Sequence, residues 1–204
     1  VEITRGEARG GDGSVEVIDT PGVYSLLPMS EDEKVTRDIL MAEPGARIIQ
    51  VCDAKNMRRS LMITIQLAEM GVPLILDVNM ADEAMDRGVM PCLDELEKRI
   101  GIPAIPTVAV TKKGLDRLMA LSECSKPSSL RIFYGEKMES AVARMESFIP
   151  DSAPLGKRAL ALMLLCGDDS LTPWLAENVR SESIREMNAI RNRMVEEVGE
   201  DIAY

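Results

Sequence analysis

Histidine is absent from the 204 residues of the sequence, and this absence excludes several classes of chemistry. Hydrolases whose serine or cysteine is activated by an adjacent imidazole are excluded, and so are metal sites that depend on imidazole nitrogen. The four cysteines form no Cys-x-x-Cys pair; they are Cys52, Cys92, Cys124 and Cys166. Their spacing supports no disulfide pairing, and we interpret them as reduced thiols.

Aromatic residues, basic charge and long apolar runs are also scarce. Aromatics make up only 3% of the sequence, so the core must be built from aliphatic side chains and the 14 methionines, which we interpret as packing residues. The net charge is −10 and no basic stripe is present, which excludes a typical nucleic-acid partner. The longest strongly apolar stretch, residues 159–166, is far shorter than the roughly 20 residues of a membrane-spanning helix.

Short β-branched runs alternate with helical patterns over the first two thirds of the chain. We predict strands at residues 15–18, 47–52, 73–78 and 102–108, and helices at residues 32–41, 60–70 and 92–100. The strand runs are continuously apolar, as in strands that are covered on both faces. This alternation predicts an α/β protein with a mainly parallel sheet.

The pattern changes near residue 122. Residues 122–130 are rich in serine and contain a proline, which predicts a linker. The sequence that follows predicts helices at residues 136–147, 154–165 and 181–198. We therefore expect an α/β domain over residues 1–121, a linker over 122–130 and a helical domain over 131–204.

The first candidate motif follows the first predicted strand and consists of Asp19, Thr20, Pro21 and Gly22. A carboxylate at a strand end can hold Mg²⁺, often through water, and a glycine three residues later lets a terminal phosphate approach the backbone N–H closely. Asp-x-x-Gly is the element that senses the last phosphate in P-loop GTPases. The same four residues also form a good β-turn, so both interpretations stay open for this motif alone.

The second motif follows the third predicted strand and consists of Asn79, Met80, Ala81 and Asp82. One carboxylate can accept both N–H donors on the edge of guanine, which adenine does not offer, and Asp82 is placed to do so. Asn79 could bond the base and brace neighbouring loops. Most GTPases have lysine in place of Met80, and methionine supplies its apolar cover but not its charge. Asn-x-x-Asp after a strand is also a plausible helix cap.

The third motif follows the fourth predicted strand, where a small residue lets a backbone N–H reach guanine O6. It comprises Val108, Ala109 and Val110 after Thr107. Taken alone it carries little information. However, ligands of parallel α/β proteins bind at the carboxyl ends of strands, and all three motifs follow strands in the GTPase order. Together they predict a guanine-nucleotide site.

These motifs and their neighbours resemble the ferrous iron transport protein B family. The resemblance is carried by residues 19–26 (DTPGVYSL), 30–38 (SEDEKVTRD), 51–56 (VCDAKN), 61–67 (LMITIQL), 79–82 (NMAD), 106–109 (PTVA) and 114–116 (GLD). Methionine in the second motif is the family's own usage. The resemblance covers residues 1–121 closely, and 131–148 and 159–168 more loosely resemble the family's helical domain. It implies a P-loop GTPase-like sheet followed by a helical domain.

The resemblance also implies a function. The parent protein would bind GTP or GDP with Mg²⁺, with Asp19 on the metal side, and would hydrolyse GTP mostly by positioning and electrostatics. It would lie at the cytoplasmic face of the cell membrane, with the transporter's membrane domain as its partner and a homo-oligomer allowed. Residues 21–38 would be a mobile segment that the terminal phosphate orders.

One expected motif is missing. The phosphate-cradling pattern GxxxxGK[ST] occurs nowhere in the sequence. We expect this loop to precede Val1, so that the chain is an internal piece of a longer protein. The alternative is a non-enzymatic regulatory or interaction module that keeps the fold without nucleotide binding. The gene sequence upstream of Val1 distinguishes the two. Acidic runs at residues 31–33 and 196–197 are interpreted as solvated faces rather than iron sites.

Overall fold

The central sheet forms where β-branched and leucine residues run without interruption. In the computed structural model of the chain it contains three parallel strands in the order β3-β4-β5: β3 (Ile48–Asp53), β4 (Pro73–Asn79) and β5 (Ala104–Pro106). The middle strand is covered on both faces, and its Leu74, Ile75 and Leu76 are completely buried. The predicted α/β fold with a mainly parallel sheet is confirmed.

The structure describes residues 3–10, 13–27 and 30–198. The chain divides into two compact units, residues 1–131 and 132–204, each with its own core.

Helices follow the strands of the first unit. They are α1 (Glu31–Ala42), α2 (Met57–Glu69), α3 (Ala81–Asp86), α4 (Leu93–Ile100) and α5 (Leu115–Ser122). Of these, α2, α4 and α5 contact the parallel sheet. Helix α1 begins at Ser30, whose Oγ accepts a hydrogen bond from the N–H of Glu33 at 3.3 Å. Helix α5 packs Leu118 against Ile75 and Ile105 of the sheet. The short helices α3 and α5 were not predicted from the sequence.

The N-terminal residues form a separate antiparallel sheet. Strand β1 (Thr4–Gly10) pairs with β2 (Gly13–Asp19), so that Gly10 lies opposite Gly13. Only residues 15–18 were predicted as a strand here. Strand β1 is rich in glycine and charged residues, which have low β-propensity, so its pairing follows from the short connection to β2 rather than from composition.

Residues 122–130, interpreted as a linker, contribute to the first unit. Ser122 is the last residue of α5. A short strand, β6 (Lys126–Pro127), pairs antiparallel with the start of β4. The hydroxyl of Ser128 donates to the carbonyl of Ile100 and accepts from the N–H of Leu130. This segment is therefore held against the sheet and α4.

The second unit is helical. It contains α6 (Glu136–Glu146), α7 (Lys157–Leu165), α8 (Thr172–Asn178) and α9 (Ser181–Val198). Helix α7 supplies much of the core, and its Leu160 and Ala161 are completely buried. Arg158 makes a bidentate ion pair with Glu139, with two N–O distances of 2.9 Å, and donates to the carbonyl of Ile132 at 2.8 Å. Within the described ranges, no helix is long and apolar enough to cross a membrane.

Candidate functional site

Polar side chains collect at the carboxyl edge of the parallel sheet. Asp53 ends β3 and lies directly beside Asn79, which ends β4. Strand β5 ends at Pro106, opposite Val78 of β4. Because ligands of open α/β sheets bind outside the carboxyl ends of the strands, this edge is the candidate site.

Asn79 joins two of the predicted motifs. Its Oδ1 accepts hydrogen bonds from the N–H groups of Met80 at 2.8 Å and Ala109 at 3.1 Å, and lies 3.4 Å from the hydroxyl of Thr107. The N–H of Ala81 donates to the carbonyl of Thr107 at 3.1 Å. Residues 79–82 and 107–110 are therefore held as one structure, which we call the paired loops.

Met80 and Asp82 lie at the start of α3. Met80 has φ 58° and ψ 34°, a left-handed conformation that is uncommon for a residue with a Cβ, and its side chain is 41% exposed. Ala81 is buried and anchors the turn. Asp82 is exposed in the first turn of the helix, where its Oδ1 accepts from the N–H of Glu83 at 2.9 Å. The Asp82 carboxylate thus faces solvent from a fixed backbone.

The third motif offers its backbone rather than its side chains. Val108 is buried, and its N–H donates to the carbonyl of Lys113 at 3.0 Å. The N–H of Ala109 is already donated to Asn79. Val110 is 96% exposed in the short 3₁₀-helix Ala109–Thr111, whose first N–H groups lack partners within the helix.

Asp77 is a buried carboxyl group beneath the paired loops. It lies on β4, is 5% exposed, and accepts a hydrogen bond from the hydroxyl of Thr107. Burial raises the pKa of Asp77, and the bond from Thr107 lowers it by a smaller amount. The Thr107 hydroxyl has one proton, so a bond to ionised Asp77 leaves none for Asn79. The sequence signal for this group is an aspartate inside the apolar run PLILDVN.

Lys55 is a second residue that sequence analysis did not single out. Its Nζ lies 2.6 Å from Oε2 of Glu83, 3.4 Å from Sδ of Met80 and 3.9 Å from Oδ1 of Asp53. Its side chain is 15% exposed. Partial burial alone would raise the pKa of Asp53, but hydrogen bonds from the Lys55 N–H and from Asn56 outweigh it and lower that pKa.

The first motif lies at the end of β2, in the antiparallel sheet. Asp19 and Thr20 are exposed, and the carbonyl of Pro21 accepts from the hydroxyl of Thr36 at 3.3 Å. A Cβ built on Gly22 would meet no atom within 4 Å, so packing among the described residues does not explain the glycine. No hydrogen bond among those residues joins this motif to the paired loops.

The residues after this motif are held against α2 by hydrogen bonds and a cation–π contact. The N–H of Leu26 donates to Oε1 of Gln66 at 2.7 Å, and Nε2 of Gln66 donates to Oγ of Ser25 at 3.2 Å. The guanidinium of Arg59 lies 3.6 Å from the centre of the Tyr24 ring, a cation–π contact. Leu26 is 1% exposed, so this segment contributes to the core as well as to the surface.

Comparison with known proteins identifies the family. The family model described as Ferrous iron transport protein B matches residues 1–121, and the model described as FeoB cytosolic helical domain matches residues 134–204. This chain belongs to the ferrous iron transport protein B family. The resemblance found in the sequence is therefore confirmed, together with the P-loop GTPase-like α/β fold and the helical region after it.

Individual FeoB proteins are similar along nearly the whole chain. The Fe(2+) transporter FeoB of Staphylococcus aureus (strain COL) is 32% identical over 191 residues, which cover 90% of this chain and 28% of the relative. NFeoB from S. thermophilus bound to GDP.AlF4⁻ and K⁺ has a TM-score of 0.81 at 27% identity, covering 98% of this chain and 80% of that one. The mGMPPNP-bound NFeoB from S. thermophilus has a TM-score of 0.79 at 27% identity, covering 98% and 78%. The chain thus spans under a third of the curated relative's length.

Proposed function

We propose that this chain is the guanine-nucleotide-binding, GTP-hydrolysing part of a ferrous iron transporter, and that its nucleotide state controls Fe(II) uptake. The observation that carries the proposal is the exposed Asp82 carboxylate on the paired loops, which Asn79 holds together at the carboxyl edge of the sheet. The FeoB relatives from S. thermophilus, which bind GDP.AlF4⁻ or mGMPPNP, support it.

Base recognition follows from the donors and acceptors of the paired loops. Asp82 would accept the N1–H and the exocyclic N–H of guanine, a pair that adenine lacks. Guanine O6 would accept from the N–H of Val110, because the N–H of Ala109 is already donated to Asn79. The thioether of Met80 and the small Ala81 would border the base.

The phosphate side would be formed by the first motif. Asp19 offers an exposed carboxylate oxygen, the ligand type that Mg²⁺ prefers, and the space around Gly22 is open to a terminal phosphate. Within the described ranges, no three acidic or cysteine side chains form a metal cluster, so phosphate oxygens and water would complete the coordination. Bound Mg²⁺ would neutralise charge on the phosphates. Thr20 and Pro21 would determine how closely this turn approaches the phosphates. We assign no general base.

The same proposal places the chain at the cytoplasmic face of the cell membrane, joined to the transporter's membrane domain. It requires a phosphate loop, and GxxxxGK[ST] is absent from this sequence. A direct test is whether the gene sequence upstream of Val1 encodes that pattern. If it does not, the alternative of a non-enzymatic interaction module is favoured.

The decisive experiment compares guanine with adenine nucleotides on the full gene product. Fluorescent GDP and ADP analogues are titrated into the wild type and Asp82→Ala. Loss of a charged bidentate acceptor should weaken GDP binding roughly 10- to 100-fold and leave ADP binding nearly unchanged. Asp86→Ala removes an exposed carboxylate from the same helix and is the matched control. Unchanged GDP affinity in Asp82→Ala would refute the assignment of the base site.

A further inference from the structure

Lys55 connects the end of β3 with the segment that carries Asp82. It follows β3 in the short 3₁₀-helix Ala54–Asn56 and reaches across to α3, where it pairs with Glu83. Its ammonium group also contacts the sulfur of Met80 at 3.4 Å. The Lys55 side chain is only 15% exposed, so it cannot be treated as a freely solvated surface charge.

Two of the residues that Lys55 contacts, Met80 and Glu83, flank the base-site carboxylate of Asp82 along the chain. Glu83 is adjacent to Asp82 in the first turn of α3, and its N–H donates to Asp82 Oδ1. Met80 has the left-handed backbone conformation that directs the chain into α3. Such a conformation in a residue with a Cβ costs free energy and persists only where neighbouring contacts hold it. Lys55 contacts the side chains on both sides of this turn, Met80 and Glu83, from the 3₁₀-helix that follows β3.

Charge gives Lys55 a second effect on the same segment. Asp53, Asp82 and Glu83 place three carboxylates around this corner of the sheet. Lys55 contacts Asp53 and Glu83, and Arg87 at the end of α3 also pairs with Glu83, at the longer distance of 3.6 Å. Without Lys55, Glu83 would lose its shorter ion pair and repel the neighbouring Asp82 more strongly, and the first turn of α3 would lose its tether to the end of β3. Both changes would displace the Asp82 carboxylate.

We propose that Lys55 is a positioning residue for guanine recognition, which holds Met80 and the first turn of α3 so that Asp82 meets the base. The proposal rests on the proposed function of the paired loops. It assigns to Lys55 part of the role that lysine has at the second motif in most GTPases, but from the 3₁₀-helix after β3 and through other side chains.

The test uses the full gene product, four variants at Lys55 and Glu83, one control variant and the two fluorescent nucleotides. Lys55→Met keeps the length of the side chain and removes its charge, and it should weaken GDP binding roughly threefold to thirtyfold while ADP affinity changes less than twofold. Lys55→Arg should restore most of the GDP affinity. Glu83→Gln should weaken GDP binding in the same direction, and the double variant Lys55→Met/Glu83→Gln should be no weaker than Lys55→Met alone. Lys98→Met, an exposed lysine on α4, is the control.

The ratio of GDP to ADP affinity separates a positioning role from a merely structural one. If Lys55→Met lowers the unfolding temperature but leaves this ratio within twofold of wild type, the proposal is overturned. If Lys55→Met does not fold, the ratio in Glu83→Gln, whose side chain is half exposed, decides instead. Asp82→Ala is measured in parallel. If that variant loses the preference and the Lys55 and Glu83 variants keep it, this inference fails alone. If Asp82→Ala keeps the preference, the proposed function fails and this inference fails with it.

Discussion

Asp77 is a carboxyl group inside an apolar strand, and it makes the stability of the first unit depend on pH. Burial raises its pKa in the folded state above the ordinary value of about 3.9, so the folded state favours the protonated form. The protonated Asp77 carboxyl group stabilises the folded state fully at pH values below its pKa in the unfolded chain. This stabilisation is lost as pH rises through the pKa of Asp77 in the folded state. The bond from Thr107 links this titration to the paired loops.

Asp77→Asn should therefore change the pH dependence of stability in a defined direction. Asparagine is neutral at every pH, so the free energy of unfolding of the variant should rise relative to wild type as pH rises from below the ordinary aspartate pKa of about 3.9 through the raised folded-state pKa of Asp77, and the difference should then level off. Urea unfolding at several pH values measures this difference. Asp94→Asn makes the same charge change on the exposed face of α4 and is the control. A difference that stays constant with pH would contradict the buried carboxyl interpretation.

Cys52 provides a second prediction at the scale of single residues. Burial, followed by the nearby charges of Asp77 and Asp53, raises the pKa of its thiol to about 12. Because the thiolate is the reactive form, Cys52 should resist iodoacetamide at pH 8 in the native protein. The exposed Cys92 and Cys124 should react within the same period. Peptide mass spectrometry measures the labelling of each cysteine, and labelling in urea confirms that all can react. Native labelling of Cys52 as fast as Cys92 would show that the strand opens.

At the scale of elements, the segment after β2 is a predicted switch, and a hydrogen bond from Leu26 to Gln66 of α2 holds part of it in place. Residues 21–38 are predicted to respond to the terminal phosphate, and positions 28–29 of this range lie outside the described residues. The N–H of Leu26 is held by Gln66 of α2, so a nucleotide-driven change would have to act on this bond. In the full gene product, a non-hydrolysable GTP analogue should slow hydrogen exchange in 21–38. No change in exchange would count against a switch.

Gln66→Ala tests the anchor itself. Loss of the side-chain acceptor should speed exchange at the amide of Leu26 about fivefold, which corresponds to a bond worth about 1 kcal/mol. Met62→Ala changes an exposed residue of the same helix and should leave that rate unchanged. Hydrogen exchange followed by mass spectrometry resolves the segment. Equal rates in both variants would show that Leu26 is protected by burial alone.

At the scale of the whole molecule, the first unit has exposed apolar strand residues. Val51 of β3 is 63% exposed, and Val15 and Val17 of β2 are 44% and 45% exposed. Exposed apolar strand residues favour association with other chains. They also reduce the free energy that the folded unit gains by burying apolar surface. The second unit has its own buried core around Val142 and Leu160. The two units should therefore differ in stability.

We predict that the 204-residue chain alone binds Mg-GTP weakly and is marginally stable. A domain is typically stable by only about 5–15 kcal/mol, and the phosphate-loop pattern is absent from this sequence. Calorimetric titration should find no binding in the micromolar range, and thermal unfolding should begin at low temperature. Residues 132–204, expressed separately, should retain helical circular dichroism. Micromolar binding with one sharp transition at high temperature would contradict this prediction.

Much of the architecture was predictable because it depends on local pattern. Continuous apolar runs located β3 and β4, and the helical period located α1, α2, α4 and α9. Strand β5 is shorter than predicted, Ala104–Pro106 rather than 102–108; a proline inside a run cannot donate to a ladder, and Pro103 and Pro106 fall within this one. Strand β1 was missed because its composition does not favour a strand.

The sequence alone indicated the family and the fold class, and it predicts the motif residues, from Asp19 through Asn79 and Asp82 to Ala109, because each depends on residue types at short spacings. Tertiary structure decided which side chains meet. The strand order β3-β4-β5 places Asp53 beside Asn79, Asp77 beside Thr107, and Lys55 against Met80 and Glu83. These pairs are 25 to 30 residues apart along the chain. No local period encodes such contacts, because they arise only when separate strands are brought side by side.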